Sequence, residues 1–185
     1  MEATHLGAYF AHRDDSDLER AIAMLARAPL YKDQGWLSCA FEVRELFPPD
    51  PEARYVSLGI PTWHYGHEPP NPFASHLAKY FANSIREEGL LNIATYGVIF
   101  TPGSAGTIQE IFQDACQNHY NTVGVVSPMI FFGEAYWKWQ KPVFPLLAQL
   151  AIGHEYGRYI SITDSQAQVV SSIEAFAAGR DTLAR

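Results

Sequence analysis

Tyr96-Gly97-Val98-Ile99-Phe100-Thr101-Pro102-Gly103-Ser104-Ala105-Gly106-Thr107-Ile108-Gln109-Glu110 is the stretch on which the reading of this chain turns. Its first part is a short run of β-branched and aromatic residues, the pattern of a buried strand. Pro102-Gly103 breaks that run. From Gly106 to Tyr120, Ile108, Ile111, Phe112 and Ala115 return at helical spacing. A strand, a tight loop and a helix form half of an open α/β unit, and such sheets bind ligands beyond the carboxyl ends of their strands.

The loop has the chemistry of an anion site. A helix starting near Gly106 presents unpaired amides and the positive end of its dipole. Gly103 and Gly106 permit close backbone approach and unusual φ values. Pro102, Ser104 and Ala105 complete the loop, and Thr107 adds a hydroxyl donor. Glu110 lies one turn further on, where it can face the same ligand. Its carboxylate would repel a phosphate it touched, so it is assigned to the sugar or a water, with acid–base work to do. Spacing alone leaves a second reading open, in which the glycines only make a turn and Glu110 is a solvated first-turn acid. The Gly-Lys-Ser/Thr of a P-loop is missing, and so is the Gly-x-Gly-x-x-Gly fingerprint.

Outward from the loop, short apolar runs alternate with amphipathic stretches. Strands are expected at Tyr55–Ile60, Tyr96–Thr101, Pro128–Phe132 and Tyr159–Thr163. A capping box at Ser16-Asp17-Leu18-Glu19 opens one early helix, and Leu37 to Phe47 suits another. Asn71-Pro72 reads as the cap and first turn of a helix continuing through Leu77, Ala78, Phe81 and Ile85. Helices are also expected at Phe144–Ile152 and from Ser165 to about Ala178. The alternation argues for an α/β fold, a Rossmann-like parallel sheet with helices on both faces. At 185 residues, with no linker, a single domain over 1–185 is expected.

Composition narrows the partners. The net charge of −7, without any Lys/Arg cluster, argues against a nucleic-acid backbone. No apolar run reaches the ~20 residues of a membrane span. With only two cysteines, Cys39 and Cys116, a disulfide framework is ruled out and a reduced, cytoplasmic protein is the simpler reading.

Other constellations carry less. His64, His67, Glu68 and His76 lack the i, i+4 spacing of a zinc protease, and no metal is expected. The segment Trp63-His64-Tyr65-Gly66-His67-Glu68-Pro69-Pro70-Asn71 follows a strand's carboxyl end. It reads either as a cleft mouth, where aromatics stack on a base and Glu68 or Asn71 binds its edge, or as a rigid surface loop. Cys116 and the Trp137/Trp139 and Tyr156/Tyr159 pairs read as packing, the aromatic pairs alternatively as a subunit contact.

Pro102-Gly103-Ser104-Ala105-Gly106-Thr107-Ile108-Gln109-Glu110 resembles the Pro-Gly-Gly-x-Gly-Thr-x-x-Glu motif of the Lonely Guy family, once called lysine decarboxylases and better described as nucleoside 5′-monophosphate phosphoribohydrolases. Tyr55 to Pro61 is similar to that family's Val-Ile-Gly-Val-Ile-Pro strand, and the resemblance runs over roughly residues 1–132. It implies hydrolysis of the N-glycosidic bond of a nucleotide such as AMP without a cofactor, a phosphate held by residues 102–107, catalysis by Glu110 with Arg86 neutralising charge nearby, and a homodimer or larger assembly. Arg86 is the nearest match to an Arg-Lys pair of the family, one residue out of register, and Glu87 stands in place of the Lys. Ser104 replaces the second glycine of the motif. The opening Met1-Glu2-Ala3-Thr4-His5-Leu6-Gly7-Ala8 looks like the sequence after the family's first glycine-rich loop, so two N-terminal strands and that loop are expected to be missing. A pyridoxal-phosphate decarboxylase finds no lysine in a Schiff-base context. A nucleotide or alarmone sensor without turnover is the alternative.

Overall fold

Three short strands with parallel partners organise the half of the chain that carries the loop. The computed structural model describes residues 2–52, 56–61 and 69–183. Two compact units divide the chain, residues 1–86 and 87–185. In order, the elements are α1 (Glu2–Phe10), α2 (Asp15–Leu25), α3 (Trp36–Leu46), β1 (Leu58–Gly59), β2 (His76–Leu77), α4 (Asn83–Ile93), β3 (Val98–Phe100), α5 (Ala105–Tyr120), β4 (Met129–Phe132), α6 (Val143–Leu150), β5 (Ile160–Thr163) and α7 (Gln166–Leu183). A π-helical turn, Tyr136–Gln140, precedes α6, and a 3-10 turn, Glu155–Arg158, precedes β5. The chain is thus mixed α/β, with small parallel sheets flanked by helices.

In the second unit the sheet order is β3-β4-β5, parallel throughout, with Val98 opposite Met129 and Met129 opposite Ile160. Gly97 turns the chain into β3 at φ +126°, and a Cβ there would come within 3.0 Å of the Pro128 carbonyl, so the site demands glycine. Strand alternation places Met129 and Phe131 on one face, in a core with Ile111 and Ala115 of α5 and Leu147 of α6. Ile130 points to the opposite face and is also fully buried. The expected burial on both faces therefore holds at β4. It fails at β3, where Ile99 is 44% exposed. α5 ends where Asn121 adopts the left-handed conformation at φ 50° and returns its amide to Gln117 and Asn118.

The first unit packs α1, α2 and α3 around Leu6, Phe10, Ala21, Ala40, Val43 and Phe47. Here the sequence misleads twice. The Ser16 capping box does not form: α2 starts at Asp15, its N-cap is Asp14, and no side chain caps it. The helix expected from Asn71 to Ile85 is replaced by a turn, a strand and a helix that starts only at Asn83. His76-Leu77 instead pairs in parallel with Leu58-Gly59. Reciprocal bonds fix this pairing, the Ser57 amide to Ser75 Oγ at 2.7 Å and Ser75 Oγ to the Ser57 carbonyl at 2.9 Å. Tertiary partners override a helical spacing whose apolar members, Leu77 and Phe81, stay exposed. Among the described residues, no helix is long and apolar enough to cross a membrane.

Candidate functional site

α5 begins at Ala105, directly beyond the carboxyl end of β3. Its first amides have no partner within the helix, and its N-cap Ser104 makes no side-chain cap bond to them. Among the described residues no side chain caps them, at the positive end of a 16-residue helix. Pro102, Ser104, Ala105 and Gly106 are exposed, and Gly103 and Thr107 are half-buried.

The two loop glycines have different jobs. Neither adopts a positive φ, which corrects the expectation of unusual backbone angles; among the described glycines that property belongs to Gly35, Gly97, Gly124, Gly133 and Gly153. Gly103 is required by contact. A Cβ built on it would lie 2.7 Å from Thr107 Cβ and closer still to the Thr107 hydroxyl. The fold therefore brings Gly103 and Thr107 together, with the hydroxyl over the loop backbone. A Cβ on Gly106 would meet nothing within 4 Å among the described residues, so their packing does not call for glycine there. Ser104 has φ −109°, an angle open to any residue, so a serine sits at this position without strain.

Two segments brace this region. Glu87 of α4 is buried and accepts a 2.6 Å bond from Gln109 Nε2, which ties α4 to the second turn of α5. From the other side come the residues after β4. Tyr136 donates its hydroxyl to the Gly103 carbonyl at 2.5 Å. Trp137, fully buried, donates its indole N–H to the carbonyls of Phe100 and Phe132 at 3.1 and 3.2 Å. Trp137 is thus core, as the sequence suggested, while Trp139 is 80% exposed. Tyr136 was not singled out from the sequence. The signal was present as an aromatic pair just past Gly133, the turn that leaves β4 at φ +107°.

Glu110 is half-buried on the second turn of α5. One turn beyond it sits a carboxyl that sequence reasoning missed. Asp114 is buried, with Oδ1 accepting from Asn118 Nδ2 at 3.3 Å and Oδ2 without a hydrogen-bond partner among the described residues. Asn118 in turn accepts from the Ser127 amide at 2.8 Å, linking α5 to the approach to β4. Burial raises the Asp114 pKa from an ordinary 3.8 to about 7.

Below about pH 4 Asp114 is protonated in both folded and unfolded chains and costs nothing. Between about pH 4 and 7 the unfolded chain releases the proton that the fold retains, so stability falls as pH rises. Above about pH 7 the penalty is complete, with an upper bound of roughly 4 kcal/mol. Asp114→Asn, which keeps the shape and the acceptor for Asn118, should therefore stabilise the protein at pH 8 by about 1–3 kcal/mol. The gain should vanish near pH 4. Urea melts at both pH values check this, and an equal gain at each would contradict it.

The remaining sequence candidates belong to the first unit. Arg86 donates Nε to the Ile60 carbonyl at 2.7 Å, so the guanidinium braces the end of β1. Asn71 is buried, and its Oδ1 accepts from the Phe73 amide at 2.9 Å, a side-chain turn rather than a helix cap. His67 and Glu68 lie outside the described residues, as do His64 and Tyr55. Cys116, read from the sequence as packing, is exposed. No family model and no curated protein matches the chain.

Proposed function

We propose that this protein binds a nucleoside 5′-monophosphate at the start of α5 and hydrolyses its N-glycosidic bond, releasing base and ribose 5-phosphate. The observation that carries the reading is the loop itself. Gly103 lies tight against Thr107, and among the described residues the space above Gly106 is open and no side chain caps the helix amides that follow a parallel strand's carboxyl end. Such an end favours a dianionic phosphate. The motif resemblance to the Lonely Guy family supplies the nucleotide and, with it, a Rossmann-like sheet for the chain.

In this reading the amides of residues 103–107 and the Thr107 hydroxyl hold the phosphate and thereby fix the ribose. Glu110 faces C1′ of the sugar, orienting the attacking water and stabilising the positive charge that grows as the C1′–N bond breaks. Water supplies the oxygen at C1′, and the base departs with the electron pair and takes up a proton. Positioning and electrostatics account for the rate without a cofactor. Arg86 keeps in this reading the part expected of it, neutralising charge near the ribose phosphate, while its Nε bonds the Ile60 carbonyl.

A sensor without turnover is favoured by one observation. Glu87, where the family carries a lysine, is buried against Gln109 and supplies no cation. Chromatography of AMP, GMP, CMP and UMP incubated with the protein separates the two. Free base with equimolar ribose 5-phosphate is the expected result. Tight binding of monophosphates with no base released would leave the sensor.

Self-association belongs to the proposal as well, since Trp139 and Ile152 leave apolar side chains 80% and 76% exposed on the second unit. Light scattering should give a dimer or larger species, and a monomer at micromolar concentration would remove this part.

A further inference from the structure

We infer that Tyr136 is a positioning residue for the phosphate loop, acting through the Gly103 carbonyl to aim the next amide at the ligand. The inference rests on the phosphate-binding reading of the loop.

A trans peptide is planar, so the carbonyl of Gly103 and the N–H of Ser104 point in opposite directions. The 2.5 Å bond from the Tyr136 hydroxyl fixes where that carbonyl points. It thereby turns the Ser104 N–H away from Tyr136, on an exposed residue at the N-cap of α5. The hydroxyl is itself held. Tyr136 lies at the start of a π-helical turn, a geometry often found at functional sites. Its ring packs edge-on against Trp137, with centroids 4.9 Å apart at 88°. Trp137 is anchored on the carbonyls of Phe100 and Phe132, at the ends of β3 and β4. Gly133 meets the loop from the same segment, and a Cβ there would stand 3.3 Å from Pro102 Cγ. The turn after β4 therefore sets the orientation of a peptide in the loop after β3, and a ligand would find that donor already aimed rather than having to order it.

Tyr136→Phe removes the hydroxyl and keeps the ring contact with Trp137. AMP and adenosine are the probes, the first with a phosphate and the second without. Calorimetry should give a Kd for AMP raised about five- to tenfold and a Kd for adenosine unchanged. In the turnover assay KM should rise by a similar factor with kcat within about twofold, because the lost donor serves ground state and transition state alike. The thermal midpoint should fall by no more than about 4 °C. The ratio of AMP to adenosine affinity protects the test from a general loss of structure, which would weaken both ligands together.

Equal loss for the two ligands, or an AMP affinity equal to wild type, would overturn the role of Tyr136 while leaving the phosphate site standing. Failure of the wild-type protein to prefer AMP over adenosine would remove the phosphate site and this inference with it.

Discussion

Glu110→Gln is expected to slow base release from AMP by about a hundred- to ten-thousand-fold while AMP still binds with an affinity within about threefold of wild type. Glutamine keeps the length and most of the shape of the half-buried side chain on α5. It loses the charge that favours an oxocarbenium-like ribose and the basicity that orients water. Binding should survive, since the proposal gives the phosphate to backbone amides one turn earlier. Single-turnover release and equilibrium binding, measured on the same preparations, separate the two effects. Undiminished release from the variant would contradict the role given to Glu110.

The second large effect concerns the two loop glycines, which should respond to alanine in opposite ways. Gly103→Ala places a methyl against Thr107, with its Cβ 2.7 Å from Thr107 Cβ before relaxation. Overpacking of this kind costs about 1–3 kcal/mol, and displacement of the loop should also lower AMP affinity by an order of magnitude or more. Gly106→Ala meets nothing within 4 Å among the described residues, and alanine in the first turn of a helix is favoured over glycine, so stability should hold or rise by up to about 1 kcal/mol. AMP affinity should nevertheless fall by about tenfold or more, because the added methyl stands in the approach to the amides. Thermal melts and calorimetry on both variants test the pair. A Gly106→Ala protein that binds AMP as wild type does would show that no phosphate sits over that residue.

Much of the second unit was legible in the sequence, and the reasons are physical. The strands at 98–100, 129–132 and 160–163 are short apolar runs bounded by turn residues, which is enough to mark them as strands even though only the central one is buried on both faces. α5 was legible because Ile108, Ile111, Phe112 and Ala115 recur at helical spacing over about two turns, and Ile111 and Ala115 are indeed buried. Asp114 and Asn118 were not legible, since polar residues four apart on a helix ordinarily face water. Only the structure puts them on the buried side, joined to the Ser127 amide.

The first unit was less legible. The spacing of Leu77, Phe81 and Ile85 suits a helix, yet the pairing of His76-Leu77 with Leu58-Gly59 depends on residues nearly twenty positions away. Local periodicity carries no information about such a partner. Of the candidate site, the strand-to-helix turn and its loop could be read directly, because glycines break an apolar run just before a helical spacing begins, and the structure adds the approach of Gly103 to Thr107. Tyr136 could not, because the aromatic pair after Gly133 marks it only as a packing residue, and its bond to Gly103 joins residues 33 apart.

The claim on which all of this depends is that a phosphate sits on the amides at the start of α5. Nuclear magnetic resonance of the backbone amides during titration with AMP, and separately with adenosine, addresses it at the residues concerned. The account predicts large shifts of the Gly103, Ser104, Ala105, Gly106 and Thr107 amides with AMP and small ones with adenosine. Shifts of equal size with both ligands, or AMP shifts confined to residues away from this loop, would contradict it.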